Sequence, residues 1–504
     1  MRPRRSDRVG ALGYTLKGAK LDVRRQPLRL TPDPRRVLAR PFLVGDRERL
    51  SAIVDRVLAL SDEEAASCLA EVLDNYRPRH KDIRFTFGQN FATAAAKLAG
   101  PIDVSEERRL LLGAYFTQEY SLESAALFNP SMVVHPDQSD LPPGATRFVM
   151  SLRACGEGHI SSIEFRTGTV DRSHVVRLDQ PSSFSVAARP VDDAHYDMAT
   201  FTLKLREMAA HNAIAEQILT LLDAEFTMSE LEAAIARSRA TEPPPTSFDE
   251  TAETMRWLAR SNYHLDFSPD TELSERVIFP VSENESRGIE DARFVRFTHP
   301  DGRVVHYATY SAYNGFRVLP QLIETTDFRY FKVSTLNGRC MQNKGMALFP
   351  RKLGADFVMA GRLDGENIFL LRSENIHFWN ASTLIHRPKQ RWEFVQLGNC
   401  GSPIETDEGW ILLTHGVGPM RQYSIGAILL DLEDPSRVIG ELAEPLLWPN
   451  ADERDGYVPN VVYSCGAMRN DDHLVIPFAV ADAHTTFATV SIGALLAALQ
   501  QHGP

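Results

Sequence analysis

The chain has 504 residues, of which 43% are hydrophobic and 24% charged, and its formal net charge is −11. This length predicts two or three structural units, and the composition excludes a disordered or fibrous chain. The excess of acidic residues argues against binding to nucleic acid. No apolar segment approaches the roughly 20 residues of a membrane-spanning helix, so we expect no membrane partner.

The five cysteines are scattered and form no C-x-x-C pair. This argues against both a disulfide framework and a cysteine zinc site, and we expect no bound metal. The first twenty residues are rich in arginine but lack the apolar core of a signal peptide. A transit peptide and a solvated basic tail both remain open for this segment, and we expect a cytoplasmic protein.

The first predicted helices cover about residues 48–75, where apolar residues recur every three or four positions. Ser61 and Glu64 have the spacing of a capping box between two helices. A further helix is expected around residues 104–126. This region contains no catalytic motif, so its apolar faces need another surface to cover them.

A second helical block is predicted over about residues 203–240, with Ser229 and Glu232 as its capping box. The Pro-rich segment 241–247 ends the block as a turn or linker. We expect both helical regions to pack against the rest of the protein and against a second copy of the chain, which makes a homo-oligomer.

After about residue 275 short apolar strands alternate with Gly, Asp, Asn and Pro turns until a last helical pattern, SIGALLAALQ. A strand–turn–strand unit recurs with turns centred at residues 301, 354, 408 and 471, and an earlier copy turns near Pro142. Antiparallel repeats of this length predict a mainly β protein with a five-bladed β-propeller. We expect residues 29–43 to supply a strand to the closing blade.

The predicted domain organisation follows from this pattern. It comprises an N-terminal strand segment and helical region (1–125), a first propeller blade region (126–200), a helical insertion (201–260), and the remaining blades with a C-terminal segment (261–504).

Polar residues at equivalent positions of the repeats should converge on the axis of a propeller. This mixture of acids, bases and amides predicts a polar substrate site. The residues that open the repeats or end their second strands include Asn129, Arg153, Glu290, Asp291, Arg293, Tyr310, Lys344, Arg362, His415 and Asp482.

Each of these residues also has a structural interpretation. Glu290 and Arg293 could form an ion pair that holds a strand, Lys344 and Arg362 could be solvated charges, and His415 could be a satisfied core histidine. Asp291 is harder to explain without a function, because an aspartate that opens an inner strand needs a partner. Zinc-protease, P-loop, dinucleotide-binding and nucleophile-elbow motifs do not occur in the sequence.

The ordered motifs FNPS, GIEDARFVRF, YSAYNG, NKGMALFP, GSPIETDEGWILLTHGV, YSIGAILLDLEDPSRVI, YVPNVVYSCGA and AVAD resemble those of glycoside hydrolase family 130. The resemblance covers roughly residues 125–495, interrupted by the second helical block. It implies a five-bladed propeller that acts on β-mannosides as an inverting phosphorylase or, less often, as a hydrolase. The helical regions are additions to the compact family core.

The resemblance also implies roles for single residues. Asp291 matches the family's general acid, although Ala292 stands where proline is usual. The implied sugar-binding positions are Asn129, Arg153 and Asp482, to which we add Glu290, Arg293 and Tyr310, and the implied phosphate-binding positions are Lys344, Arg362, His415 and Tyr423.

Glu405 leaves the choice between phosphorolysis and hydrolysis open. Many phosphorylases of the family carry a lysine at this position, and some hydrolases carry a glutamate that acts as base. We expect phosphorolysis of β-1,2- or β-1,4-linked manno-oligosaccharides to α-mannose 1-phosphate, with inorganic phosphate as co-substrate and no cofactor. Inverting hydrolysis with Glu405 as base is the alternative, and it requires a carboxyl separation of roughly 6.5–9.5 Å from Asp291. A non-catalytic propeller that binds a glycan or a protein is a third interpretation.

Overall fold

The computed structural model describes residues 21–98, 102–192, 194–240 and 246–501. The Arg-rich N-terminal segment and most of the predicted linker 241–247 lie outside these ranges. The described chain is mainly β with two helical regions. None of its helices combines the length and the hydrophobicity needed to cross a membrane.

The N-terminal region pairs two short strands around a group of helices with their own apolar core. The Ser61–Glu64 capping box is confirmed. The helix expected over 104–126 is shorter, because a strand follows it directly. In chain order the elements are β1 (Arg24–Leu30), β2 (Val37–Pro41), α1 (Arg47–Leu58), α2 (Asp62–Tyr76), α3 (Ile83–Ala95), α4 (Glu106–Tyr115) and β3 (Thr117–Ser121).

The next segment begins the large β region. Its long strands form antiparallel hairpins, and β4 is buried along almost its whole length. The strands are β4 (Ala126–Val134), β5 (Thr146–Cys155), β6 (Ser161–Val170), β7 (Val176–Leu178), β8 (Val186–Ala187) and β9 (Arg189–Pro190).

The second helical block packs around a separate apolar cluster. Its capping box is formed by Thr227 and Glu230, and not by Ser229 and Glu232 as expected. Glu232 instead accepts hydrogen bonds from Arg256 of the following helix. The elements are β10 (Tyr196–Asp197), α5 (Met198–Glu207), α6 (Ala213–Leu219), β11 (Glu225–Phe226), α7 (Met228–Ala240) and α8 (Phe248–Arg260).

The remainder of the described chain is strands followed by one helix, as expected. The strands are β12 (Tyr263–Asp266), β13 (Arg276–Ile278), β14 (Gly288–Thr298), β15 (Val304–Tyr313), β16 (Val318–Thr325), β17 (Tyr330–Thr335), β18 (Ala347–Leu348), β19 (Phe357–Gly361), β20 (Ile368–Ser373), β21 (Ala381–His386), β22 (Gln396–Asn399), β23 (Ile404–Thr406), β24 (Gly409–Val417), β25 (Tyr423–Leu430), β26 (Val438–Glu441), β27 (Val462–Tyr463), β28 (Met468–Asn470), β29 (His473–Val480) and β30 (His484–Ser491), and the helix is α9 (Ile492–Gln501).

Five antiparallel units can be distinguished within the described residues, and each contains one of the predicted hairpins. Unit 1 is β4–β7, unit 2 is β14–β17 with β12, unit 3 is β18–β21, unit 4 is β22–β26 and unit 5 is β27–β30 with β1. The strand that completes unit 5 is β1, residues 24–30. The segment expected to supply this strand, residues 29–43, contributes only Arg29 and Leu30 to it, since most of the segment is a turn and β2, which pairs with β3.

Apolar clusters lie between successive units and connect the last unit to the first. Burial of these side chains is the main force that holds the units together. Examples across each junction are Phe165 with Phe294 (units 1 and 2), Phe297 with Phe357 (2 and 3), Phe349 with Trp410 (3 and 4), Leu413 with Phe478 (4 and 5) and Phe148 with Phe487 (5 and 1).

Candidate active site

Asn129 and Asp291 lie at β-bulges in β4 and β14. The strand registers shift just after Phe128 and just after Glu290. Both residues have left-handed backbone conformations, with φ of 49° and 56°, which short polar side chains tolerate better than most. A bulge re-aims the side chain that it carries, and the two side chains meet: Asn129 Nδ2 donates to Asp291 Oδ1 at 2.7 Å.

Three cations surround the buried Asp291 carboxylate. Burial alone would raise its pKa, but the charges of Arg153, Arg293 and Lys344 and the hydrogen bond from Asn129 lower the pKa to about 2. The group is therefore ionised near neutral pH in this state. A carboxylate at an exposed surface would not need so many positive partners, so this cluster fits a functional site better than a structural ion pair.

Glu290 lies beside Asp291 and is paired with two of these cations. Arg153 donates to Glu290 Oε1 at 2.7 Å, and Lys344 Nζ lies 3.5 Å from Glu290 Oε2. Arg153 also reaches Asp291 Oδ1 at 3.5 Å. The ion pair that was considered between Glu290 and Arg293 does not form, because Arg293 donates instead to the main-chain oxygen of Asp291.

A small pocket adjoins the Asp291 carboxylate. Arg293 and Arg362 in its wall are 2% and 9% exposed, and neither forms an ion pair with a carboxylate among the described residues. The Nε atoms of both are buried without a hydrogen-bond partner. Since buried charges are costly unless they are paired, this pocket is suited to an anion. Its lining residues are Asp291, Arg293, Lys344, Gly345, Arg362, Gly398, Asn399, His415 and Tyr463.

His415 in β24 is another wall of the pocket. Its Nδ1 lies 3.1 Å from the main-chain oxygen of Asn399, and the ring of Tyr423 is stacked on it at 6.0 Å with an interplanar angle of 13°. Burial, with the charges of Arg362 and Arg293, holds the pKa of His415 well below its usual range. The imidazole is therefore neutral.

Asp482 lies in the turn between β29 and β30 and also has a left-handed backbone, with φ of 49°. Burial and the nearby charge of Asp291 raise its pKa to about 6, while Arg153, Arg421 and Lys344 act in the opposite direction. Asp482 is thus part of the same cluster of charges.

Two of the residues singled out from the sequence lie elsewhere. The Tyr310 hydroxyl donates to Glu285, which also accepts a hydrogen bond from Tyr263 at 2.7 Å, in a buried group that fixes a loop. Glu405 is 40% exposed and forms a bidentate pair with Arg351, whose shortest contact is 2.6 Å. Neither Tyr310 nor Glu405 lines the pocket.

Besides two glycines, two polar pocket residues, Asn399 and Tyr463, were not singled out from the sequence. The Tyr463 hydroxyl accepts a hydrogen bond from Arg293 at 2.7 Å, and Asn399 Nδ2 donates to the main-chain oxygen of Gly345 at 2.6 Å. Tyr463 lies inside the motif YVPNVVYSCGA, which carried the family resemblance, and Asn399 lies two residues before the motif that begins GSPIET. Their position on short strands that open units 5 and 4 is the signal that could have identified them.

Within the described part of the chain, one group of side chains has the spacing of metal ligands. It consists of His174, Asp472 and His473, and it lies outside the pocket. Asn470 Nδ2 lies 3.1 Å from His174 Nδ1, and because the amide nitrogen donates, the ring proton of a neutral His174 resides on Nε2. That nitrogen is the one that faces Asp472. The hydrogen bonds therefore fit an aspartate between two histidines, and not a prepared metal site.

Comparison with known proteins gives consistent matches. The family model of glycoside hydrolase family 130, described as beta-1,4-mannooligosaccharide phosphorylase, matches residues 268–501. A 1,2-beta-oligomannan phosphorylase of Thermoanaerobacter sp. (strain X514) is 34% identical over 221 residues, which are 42% of this chain and 70% of the relative. A beta-1,2-mannobiose phosphorylase of Listeria innocua is 30% identical over 256 residues, 48% of this chain and 68% of the relative.

A more distant relative is the beta-1,4-mannooligosaccharide phosphorylase of Ruminococcus albus, which is 26% identical over 260 residues, 49% of this chain and 75% of the relative. Among solved structures, the Listeria innocua beta-1,2-mannobiose phosphorylase in complex with beta-1,2-mannobiose aligns with a TM-score of 0.45 and 21% identity. The alignment covers 76% of this chain and 94% of that one.

Proposed function

The chain belongs to glycoside hydrolase family 130, and we propose that it is an inverting phosphorylase of β-mannosides. The observation that carries the proposal is the pair of buried arginines, Arg293 and Arg362, that form no direct ion pair with a carboxylate in the described chain and lie in one pocket with Asp291. A phosphate anion supplies the missing negative charge at the place where a nucleophile is needed. The named activities of the relatives support the same reaction.

The reaction balances without water. Hydrogen phosphate attacks the anomeric carbon from the face opposite the glycosidic bond, the carbon–oxygen bond to the leaving sugar breaks, and α-mannose 1-phosphate forms. Asp291 gives a proton to the leaving oxygen, directly or through a sugar hydroxyl, and the proton that hydrogen phosphate loses returns Asp291 to its acid form, so no net proton is consumed. A phosphate nucleophile needs no second carboxylate as base, and Lys344, Arg293 and Arg362 offset its charge.

Asp291 must be protonated before it can act as an acid. Two of the cations that lower its pKa to about 2, Arg293 and Lys344, are also among those that would hold phosphate. A bound dianion offsets their charge and thereby raises the pKa of Asp291. The proton is thus taken up in the presence of phosphate, which couples the acid to its co-substrate.

Hydrolysis is the weaker alternative. It needs a carboxylate base that can activate water across the sugar from Asp291. Glu405 was the candidate, but its charge is already paired with Arg351 and it does not line the pocket. A hydrolase would also have no use for the two buried arginines.

The test incubates the full chain with β-1,2-mannobiose and β-1,4-mannobiose, with and without inorganic phosphate. We expect α-mannose 1-phosphate only when phosphate is present. The rates with the two mannobioses will show which linkage the enzyme prefers. Two relatives that match this chain over more than 200 residues are named as a 1,2-beta-oligomannan phosphorylase and a beta-1,2-mannobiose phosphorylase, which makes β-1,2-mannobiose the first substrate to test. Free mannose at the same rate without phosphate would establish hydrolysis, and binding without turnover a non-catalytic glycan-binding protein.

We also propose that the five units are the blades of a β-propeller. The support comes from the apolar clusters at each junction, which include one between units 5 and 1, and from β1, which completes unit 5 with a strand from the start of the chain. Joining the first and last units in this way protects the strand edges.

The N-terminal helices are proposed to contact a second copy of the chain. Several large apolar side chains of this region are at least two-fifths exposed, which favours an interface. Light scattering at micromolar concentration tests this proposal, and a monodisperse monomer would contradict it. The exposed residues are Phe42, Tyr76, Phe85 and Tyr115.

A further inference from the structure

The imidazole of His415 is held in one orientation by the residues around it. The ring of Tyr423 is stacked on it, and the ring of Tyr463 meets it at a centroid distance of 4.9 Å with an interplanar angle of 63°. Gly398 packs against the opposite edge: a Cβ at that position would lie 2.5 Å from His415 Cε1 and 2.9 Å from Nε2. These contacts fix the plane of the ring, and the short distance between Nδ1 and the main-chain oxygen of Asn399 identifies the edge that carries Nδ1.

This orientation determines the chemistry of the two ring nitrogens. The oxygen of Asn399, 3.1 Å from Nδ1, is a carbonyl and can only accept a hydrogen bond, so Nδ1 carries the proton. The neutral ring then has a lone pair on Nε2, beside the Gly398 wall of the pocket. Burial and the positive charges of Arg362 and Arg293 oppose a second proton more strongly than the hydrogen bond to Asn399 and the charge of Asp291 favour one.

We propose that His415 Nε2 accepts a hydrogen bond from the P–OH group of hydrogen phosphate and thereby selects protonated tetrahedral oxyanions against sulfate. The inference rests on the proposed function, since it concerns the anion that this pocket binds. Arginine and lysine donors bind the oxygens of sulfate and phosphate alike, because both ions are tetrahedral and doubly charged. A hydrogen-bond acceptor in the wall is what distinguishes them.

The discrimination between the anions follows from the number of protons that each anion carries at neutral pH. Hydrogen phosphate and hydrogen arsenate keep one hydroxyl at neutral pH, which pairs with the Nε2 lone pair. Sulfate has no proton, so one of its oxygens would face another acceptor in a buried site. A site built to pair with a substrate hydroxyl rejects an analogue that lacks it strongly, because a buried polar group is left without a partner.

The test measures competition in the wild-type protein. Initial rates of phosphorolysis of β-1,2-mannobiose are recorded against phosphate with sulfate or arsenate added, and binding of each anion to the full chain is measured by calorimetry. We expect arsenate to compete within about tenfold of the phosphate KM, and sulfate to be at least about a hundredfold weaker. Sulfate that competes as well as arsenate would overturn the proposal.

The variant His415→Gln adds a second readout, because a rotatable amide can present either a donor or an acceptor to the anion. We expect the preference for phosphate over sulfate to fall at least about tenfold in this variant. His386→Gln, which alters a buried histidine beside Glu441 and outside the pocket, is the matched control and should keep the preference. If His415→Gln does not fold, the competition of sulfate and arsenate with phosphate in the wild-type protein still tests the proposal.

The results separate this inference from the proposed function. Phosphate-dependent turnover without discrimination against sulfate contradicts the role of His415 alone. Selective phosphate binding without any turnover contradicts the phosphorylase and supports the role of His415. Absence of phosphate binding overturns both.

Discussion

Replacement of Asp291 by asparagine tests the assignment of the general acid. The amide keeps the size of the side chain but cannot give a proton, so we expect phosphorolysis of mannobiose to fall by about 10²–10⁴-fold. A substrate with a 4-nitrophenolate leaving group departs without protonation, and the same variant should lose less than about tenfold with it. The assays are release of sugar 1-phosphate and of 4-nitrophenol, respectively.

The same variant should change stability by an amount that the structure indicates. The pKa of Asp291 is about 2 against an ordinary value of 3.8, a difference that corresponds to about 2 kcal/mol of stability near neutral pH. Because the folded-state pKa is depressed, this contribution is present above pH 4 and is lost as the pH falls towards 2. The substitution Asp291→Asn removes the contribution at all pH values, which thermal or denaturant unfolding will show.

Two results would refute the reasoning about the acid. One is mannobiose turnover by Asp291→Asn within tenfold of wild type. The other is an equal loss with mannobiose and with the 4-nitrophenyl substrate, which would indicate a structural role. Asp472→Asn, at an exposed aspartate outside the pocket, is the control for a change of aspartate to asparagine.

Three further predictions concern single side chains. Arg362→Met should raise the KM for phosphate about 10- to 100-fold, since a charge-assisted hydrogen bond is lost, and an unchanged KM would remove Arg362 from the phosphate site. Glu405→Gln should leave phosphorolysis within about threefold and change stability by less than about 1 kcal/mol, because the pair with Arg351 is partly exposed; loss of turnover in rate assays would restore it as a catalytic group. Burial lowers the pKa of Lys204 to about 7 from 10.5, so the unfolded chain binds more protons than the folded one between these values and stability should rise from pH 7 to pH 10. Urea unfolding at both pH values should show a smaller rise in Lys204→Met, and an identical rise in both proteins would contradict this explanation.

Much of the β architecture could be predicted from local patterns. The hairpin turns centred near Pro142 and at residues 301, 354, 408 and 471 all join paired strands, because turn residues between apolar strands act over a few neighbouring positions. The Ser61–Glu64 capping box is local in the same sense. The helix α8 was missed, since the Pro-rich segment before it was interpreted as the end of the helical block.

The exact positions of single strands and helix caps were harder to predict from the sequence than the hairpin turns. Thr227–Glu230 and Ser229–Glu232 have the same spacing and lie two residues apart, and only the start of α7 distinguishes them. The strand that completes unit 5 comes from residues 24–30, and its partner lies more than 450 positions away along the chain. A pairing of this range leaves no periodic signal in either segment.

The sequence alone determined the family, the acidic residue at the centre and most of the cations around it, because Asp291, Lys344, Arg362 and His415 stand in short ordered motifs. Only the tertiary structure decided which charges are paired. Glu405 pairs with Arg351 outside the pocket, whereas Arg293 and Arg362 line the pocket and form no ion pair with a carboxylate in the described chain. The physical reason is that pairing and burial depend on contacts between side chains from different units. Neither the composition of the chain nor the spacing of residues along it predicts those contacts.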